Sequence, residues 1–250
     1  MKMKIVINPK YEQIDSFIKS IPDIFEKEGT TIYKARNELK EYNIDGIHVV
    51  VKSFKKPIFI NRIIYKFFRP SKAKRAYNNA IELLRLEVLT PEPVAYIEVF
   101  GEGLFSRSYY ISTKAQFSNH FGDLGIKKFD NKKDILKAYA EFVGDLHNNN
   151  ILHKDLSKGN ILFFVEDEKI RFELIDINRM VFKKVNLKEG CKNFKRTIGD
   201  DETLAYIATY YAQYRNLDVQ CCVNLIVRYR NRFFIYKNAD KITGVIQRRL

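Results

Sequence analysis

Between His153 and Asp176 the chain sets out a group of side chains whose types suit one kind of chemistry. His153-Lys154-Asp155 is followed, five residues after Asp155, by Asn160, and two apolar runs then lead to Ile175-Asp176-Ile177-Asn178. A carboxylate facing an alcohol can orient it and accept its proton. An amide oxygen and a second carboxylate can hold Mg²⁺ against phosphate oxygens. Asp155 suits the first task and Asn160 with Asp176 the second, which together point to phosphoryl transfer onto a hydroxyl. An isolated Asp–Asn pair would be no more than a turn, and a lone Asp a strand-end cap. The argument for chemistry is the ordered set, placed behind an amphipathic helix and around two apolar strands.

The elements that position this set are legible as hydrophobic periodicity. Ile135, Tyr139, Phe142, Val143 and Leu146 recur at helical spacing ahead of it, in a helix that ends at Asn148-Asn149-Asn150. Runs 160–165 and 169–175 read as a hairpin over Glu166-Asp167-Glu168, which brings Asn160 and Asp176 to neighbouring strand ends. Upstream, 31–34, 38–42 and 47–52 read as three short strands, with Asp45-Gly46 as a turn. A helix with Tyr77, Ala80, Ile81, Leu84 and Val88 on one face follows and is stopped by Pro91 and Pro93. Strands at 94–100 and 107–113 come next, and helices at 203–212 and about 219–229 complete the pattern. All six prolines lie within the first 93 residues, so short punctuated elements give way to longer helices. This order predicts an α+β protein of two lobes, residues 1–115 and 116–250, with the break inside 113–134.

The pattern H-x-D-x-x-x-x-N, then a hairpin and an Asp, resembles the catalytic and metal-binding loops of the protein-kinase-like fold. The resemblance implies a bilobal α+β fold with a β-rich N-lobe and a reduced, mainly helical C-lobe. It casts Lys52, at the end of His48-Val49-Val50-Val51-Lys52, as the strand lysine that meets the α- and β-phosphates of ATP. The helix glutamate that pairs with such a lysine falls near Asn78 in RAYNNAIELL, where this chain has an amide. Glu82, one turn later on the same face, is the candidate substitute. Lys158 either neutralises γ-phosphate charge or is simply exposed. His153 is expected to hold the loop by hydrogen bonding, and His147 to be a helix-end residue rather than a metal ligand. No glycine-rich phosphate loop is present. Tyr33-Lys34-Ala35-Arg36-Asn37 stands in its place, with Arg36 or backbone N–H groups as the covering groups and a plain turn as the alternative.

The metal-loop triplet is Asp176-Ile177-Asn178, in which Asn178 tolerates the positive φ that a glycine usually supplies. No proline follows Pro93 and only 74 residues follow Asp176, which argues against an activation segment and a peptide-docking surface. A small or glycolipid hydroxyl acceptor fits better. Here the sequence resembles the lipopolysaccharide core kinase family, which phosphorylates Kdo or heptose sugars on lipid A. The likeness runs from about Gly29 to Asn238, on IYKARNELK, VVVKSF, RAYNNAIELL with TPEPVAYIE, LHKDLSKGNIL, LIDINRM and EGCKNFKR. It implies ATP and Mg²⁺, with Asp155 as general base, Asn160 and Asp176 as metal ligands and Lys52 on the nucleotide. It also implies a cytoplasmic setting, peripheral at the inner face of the cytoplasmic membrane. Two rival readings stand beside it: a kinase of another small molecule, and a nucleotide-binding pseudokinase that scaffolds other proteins at the membrane. The missing helix glutamate and glycine loop favour the pseudokinase; the complete Lys52, Asp155, Asn160 and Asp176 set opposes it.

Charge is consistent with an anionic partner: 44 Lys and Arg against 30 Asp and Glu give a net charge of +14 over 250 residues. The stretch 52–75 holds nine basic residues and no acidic one. Within it Ile60, Ile63, Ile64, Phe67 and Phe68 share one helical face, opposite Arg62, Lys66 and Arg69. That is the pattern of an interfacial helix on anionic lipid, or of a helix packed on the small lobe with its bases solvated. Likewise the Lys192–Arg196 cluster either meets an anionic sugar or phosphate or forms a solvated loop. No nucleic-acid-binding motif is present, and no obligate protein partner is expected. At 46% hydrophobic and 30% charged residues the chain is no disordered segment. Three cysteines, two of them adjacent and none in a CxxC, give no disulfide framework or thiol metal site. No run is long enough to span a bilayer, and the three-residue apolar stretch in MKMKIVINPK is too short for a signal peptide.

Overall fold

The computed structural model of the chain describes residues 2–35, 37–54, 70–101, 104–166 and 169–246. It divides into two compact units, Met1–Gln116 with Glu173–Arg179, and Phe117–Phe172 with Met180–Leu250. The sequence reading put every residue beyond 115 in the second lobe, whereas 173–179 groups with the first. Its hydrogen bonds give the reason. Leu174 N–H donates to the Leu89 carbonyl at 2.9 Å, and the buried Thr90 hydroxyl donates to the Leu174 carbonyl at 2.7 Å. The buried Glu173 carboxylate accepts the Gln116 N–H at 2.9 Å.

The first unit is built on a six-stranded sheet of β1 (Lys2–Ile7), β2 (Thr30–Lys34), β3 (Asn37–Ile44), β4 (Ile47–Phe54), β5 (Pro93–Gly101) and β6 (Leu104–Thr113). Its order is β1-β5-β6-β4-β3-β2, and the neighbouring strands run antiparallel. Asp45 and Gly46 both take positive φ, 51° and 80°, as the tight β3–β4 hairpin requires. Along β4 the side chains alternate: Val49 and Val51 are buried, His48 is exposed, and Val50 and Lys52 are half-buried. Val49 and Val51 join Ile97 and Ile111 in a core shared with Ile14, Ile18, Ile21 and Phe25, from helix α1 (Asp15–Ile24) and its flanks.

Helix α2 (Lys72–Arg85) packs against β5, β6 and the turn Ile177–Arg179. Ser71 caps its start by accepting the Lys74 N–H at 3.1 Å. Ala73, Ala76 and Tyr77 meet Phe54, Tyr96 and Tyr110 in a second core cluster. Of the predicted stripe Tyr77, Ala80 and Val88 are buried, whereas Ile81 is 46% exposed and Leu83, outside the stripe, is buried. Strand β1 and helix α1 carry no clear sequence signal, since β1 is a short edge strand and α1 contains Pro22.

The second unit begins at β7 (Asn119–His120) and continues through α3 (Lys132–Asn148), β8 (Ile151–His153), β9 (Ile161–Glu166) and most of β10 (Lys169–Leu174). After the excursion to the first unit come β11 (Met180–Phe182), α4 (Leu187–Asn193), α5 (Asp201–Tyr214) and α6 (Val219–Ile246). Strands β10, β9 and β7 form one sheet in that order, and β8 pairs with β11. Helix α3 packs on α5 and α5 on α6, around the fully buried rings of Phe121, Tyr139, Phe163, Phe194 and Tyr211.

Of the basic insertion expected over 52–75, residues 55–69 lie outside the described residues, as does Arg36 of the turn at 33–37; Lys72–Arg75 open α2. Among the described residues no helix is long and apolar enough to cross a membrane.

Thr90→Val removes the buried donor to the Leu174 carbonyl while keeping side-chain shape. It is expected to lower unfolding stability by about 1–3 kcal/mol, read as a lower urea midpoint.

Candidate active site

Lys52 sits on β4, a strand flanked by partners on both sides, with Leu39 and Tyr110 as its register neighbours. Its ammonium reaches Asp176 Oδ1 at 2.5 Å. Phe54, two residues along the same strand, lies beneath this charge: Lys52 Nζ stands 5.4 Å from its ring centroid and Lys72 Nζ 5.8 Å. Asp176 has φ of 55°, a left-handed conformation that Asp and Asn adopt more readily than most residues. Two amides hydrogen-bond around it. Asn178 Nδ2 donates to Asp176 Oδ1 at 2.6 Å, and Asn79 Nδ2, from α2, donates to the Ile177 carbonyl at 2.8 Å. The left-handed residue of the triplet is therefore Asp176, not Asn178 as the sequence led us to expect.

Glu82 does not take the place expected for it. Its carboxylate pairs with Arg85 on the same helix at 2.6 Å, which holds it below the usual carboxylate range, and Lys52 is paired with Asp176 instead. Asn78 is exposed. A helix residue that does reach the 176–178 turn is Asn79, which has no signal of its own in the sequence because adjacent asparagines differ only in helical phase.

In the second unit, β8 ends at His153, and Met180 on β11, four residues after Asp176, is its register partner. His153 Nδ1 accepts the Asp155 N–H at 3.1 Å, the loop-holding bond expected of it. Asn160 Nδ2 donates to the Asp155 carbonyl at 2.9 Å, which closes the loop and turns the amide oxygen the other way. Lys158 is exposed, and its carbonyl accepts the Gly122 N–H at 2.9 Å. The Asp155 carboxylate is ion-paired through Oδ1 to the Arg196 guanidinium. The sequence reading left Arg196 in a basic cluster of unassigned partner, because a contact across 41 positions has no local signal.

Behind the loop runs a buried chain of polar groups whose proton directions can be worked out. Arg215 Nη1 must donate to Tyr211 Oη (2.7 Å), so Tyr211 donates to His147 Nδ1 (2.8 Å). His147 Nε2 then donates to Asn193 Oδ1 (3.1 Å), and Asn193 Nδ2 to the His153 carbonyl (2.8 Å). The chain needs a neutral imidazole. Burial pushes the His147 pKa down to about 4, opposed by the Asn193 hydrogen bond and reinforced by the Arg215 charge. Gly190 leaves the space this chain occupies, for a Cβ there would collide with Tyr211 Oη and lie 3.2 Å from His147 Nδ1.

Comparison with known proteins identifies the family. The family model described as "Lipopolysaccharide kinase (Kdo/WaaP) family" matches residues 23–199, more than half of the chain. The chain belongs to this family. As a Kdo/WaaP kinase it is a phosphotransferase acting on sugar hydroxyls of the lipopolysaccharide core. Among solved structures, WaaP in complex with acyl carrier protein is similar with a TM-score of 0.64 and 14% identity, over 92% of this chain and 98% of that chain. That likeness shows the fold: a β-rich N-terminal part and a helical C-terminal part. A 2.2 Å crystal structure of WbdD gives a TM-score of 0.47 at 13% identity, covering 81% of this chain and 45% of that one. No functionally curated protein sequence matches the chain.

Because the imidazole is neutral in the fold with a pKa of about 4, against about 6.5 when unfolded, the unfolded chain binds more protons between these values. Stability from this group is complete above about pH 6.5 and falls by up to about 3 kcal/mol as pH drops to about 4. His147→Gln should flatten that part of the pH dependence in urea titrations. Gly190→Ala should destabilise at every pH, by about 1–3 kcal/mol, and lower the melting temperature.

Proposed function

We propose that this kinase transfers the γ-phosphoryl group of Mg–ATP to a Kdo or heptose hydroxyl of the lipopolysaccharide inner core. The observation that carries the reading is the 2.5 Å contact between Lys52 and Asp176, residues 124 positions apart whose types the chemistry requires together. The Asp176 carboxylate and the Asn160 amide oxygen are each of a donor type that Mg²⁺ takes, the ion completing its shell with phosphate and water. Asp176 and Asn160 would hold the ion, which would offset phosphate charge.

In this mechanism Lys52 shares its charge between Asp176 and the α- and β-phosphates. Asp155 orients the acceptor hydroxyl and takes its proton as the oxygen attacks the γ-phosphorus. The bond from the γ-phosphorus to the bridging oxygen breaks, and ADP leaves with that electron pair. Little covalent work falls to the protein, so catalysis is mostly positioning and charge stabilisation. Lys158, exposed beside the loop, meets the γ-phosphate. Net charge of +14 supports a setting at the cytoplasmic face of an anionic membrane.

The test is incubation of the full chain with Mg–ATP and purified inner-core glycolipid, read by mass for one added phosphate; an unmodified glycolipid overturns the acceptor class. The WaaP structure was captured with acyl carrier protein, so the assay is run with and without that protein. Transfer that is the same in both arms supports a kinase with no obligatory protein partner. Asp155→Ala is expected to reduce transfer by about a thousandfold or more while leaving nucleotide binding intact. Asp176→Ala should remove the Mg²⁺ dependence of ATP affinity, measured by calorimetry. A second reading, a nucleotide-binding scaffold, is favoured by the absence of Glu82 from the Lys52 contact. Binding of Mg–ATP without any transfer or hydrolysis would select it.

A further inference from the structure

We propose that Arg196 is the positioning residue of Asp155, and that Phe233 on α6 steadies Arg196 for this task. The inference rests on the reading of Asp155 as the base. The bonds from Asp155 N–H to His153 and from Asn160 to the Asp155 carbonyl fix the loop backbone. They do not set the direction of the carboxylate. The Arg196 guanidinium acts on the carboxylate itself, by taking Oδ1. A planar, permanently charged donor that holds one carboxylate oxygen restricts rotation of the whole carboxylate.

The arginine is itself held from two sides. It closes the short turn Phe194–Arg196, in which Phe194 is fully buried between Tyr139 and Tyr211, with ring centroids 5.9 and 4.8 Å away. The next residue, Thr197, is bonded through its hydroxyl to Tyr139 Oη at 2.8 Å and through its N–H to the Phe194 carbonyl at 2.9 Å. From the other side the ring of Phe233 lies 5.3 Å from the guanidinium carbon, and Lys195 Nζ approaches the same ring at 5.8 Å. Arg196 Nε is buried with no hydrogen-bond partner among the described residues. A cation so placed, with one donor already out of water, is drawn more strongly to its carboxylate than an exposed one.

The full-length protein is assayed in two arms, phosphate transfer to inner-core glycolipid and ATP hydrolysis with water as acceptor. Arg196→Ala should lower kcat roughly 100-fold in the active arm, with KM for ATP within about threefold of wild type. Added guanidinium ion should restore part of that loss, and Arg196→Lys should keep about a tenth of wild-type kcat, since an ammonium lacks the planar fork. Phe233→Leu, which removes the ring but keeps apolar bulk, should lower kcat about three- to tenfold. Wild-type kcat in Arg196→Ala, or a loss confined to KM for ATP, overturns the inference. If Arg196→Ala melts below the assay temperature, wild-type kcat in both Arg196→Lys and Phe233→Leu overturns it equally. Wild-type protein inactive on glycolipid but hydrolysing ATP refutes the acceptor reading and leaves the Arg196 comparison to be made on hydrolysis. Inactivity in both arms refutes both.

Discussion

An ammonium on a flanked strand and a carboxylate from a loop 124 positions later, 2.5 Å apart, set the terms for the first unit. Both side chains are substantially shielded, Lys52 at 14% and Asp176 at 32% exposure, and a shielded charge is tolerated only when its partner is reliably present. Much of the surrounding structure meets that condition. Strand β4 is held between β3 and β6, so the lysine has a fixed origin. Asp176 takes a left-handed conformation, with Asn178 bonded to its carboxylate and Asn79 to the Ile177 carbonyl. Thr90 and Leu89 tie down the strand end just before it.

The second unit uses the same device with different parts. The Asp155 backbone is fixed by His153 and Asn160, and its carboxylate by a cation. Behind it the one-directional chain from Arg215 through Tyr211, His147 and Asn193 to the His153 carbonyl carries the order of α3, α4 and α5 to the loop. A neutral histidine is the hinge of that chain: a second ring proton would leave Tyr211 without an acceptor.

What the sequence made legible was local. Asp155, Asn160 and Asp176 stand at short, fixed spacings, and the alternating run into Lys52 announces its strand. The β3–β4 hairpin follows from Asp45-Gly46 alone. What stayed hidden was set by phase or by distant contact. Asn78 and Asn79 stand about 100° apart about one helix axis, a difference of phase that composition does not reveal, and within the apolar stripe Ile81 turns to solvent while Leu83 is buried. Arg196 on Asp155 is a pairing across the chain, and β1 is recognisable only through its register with β5, Lys2 opposite Phe100. The basic stretch 55–69 and Arg36 lie outside the described residues.

The discontinuity of the first unit bears on how such a chain can be made. A ribosome releases residues in order, so the sheet from β1 to β6 emerges long before Glu173–Arg179. Until then Lys52 is a shielded cation without its carboxylate, Thr90 a buried hydroxyl without its carbonyl, and Gln116 an amide without Glu173. Vectorial synthesis therefore cannot finish the first unit before residues 117–172 of the second have left the exit tunnel. A nascent chain paused near residue 116 would be a sheet still waiting for its last seven residues, and that waiting interval is when the protein is most in need of a chaperone.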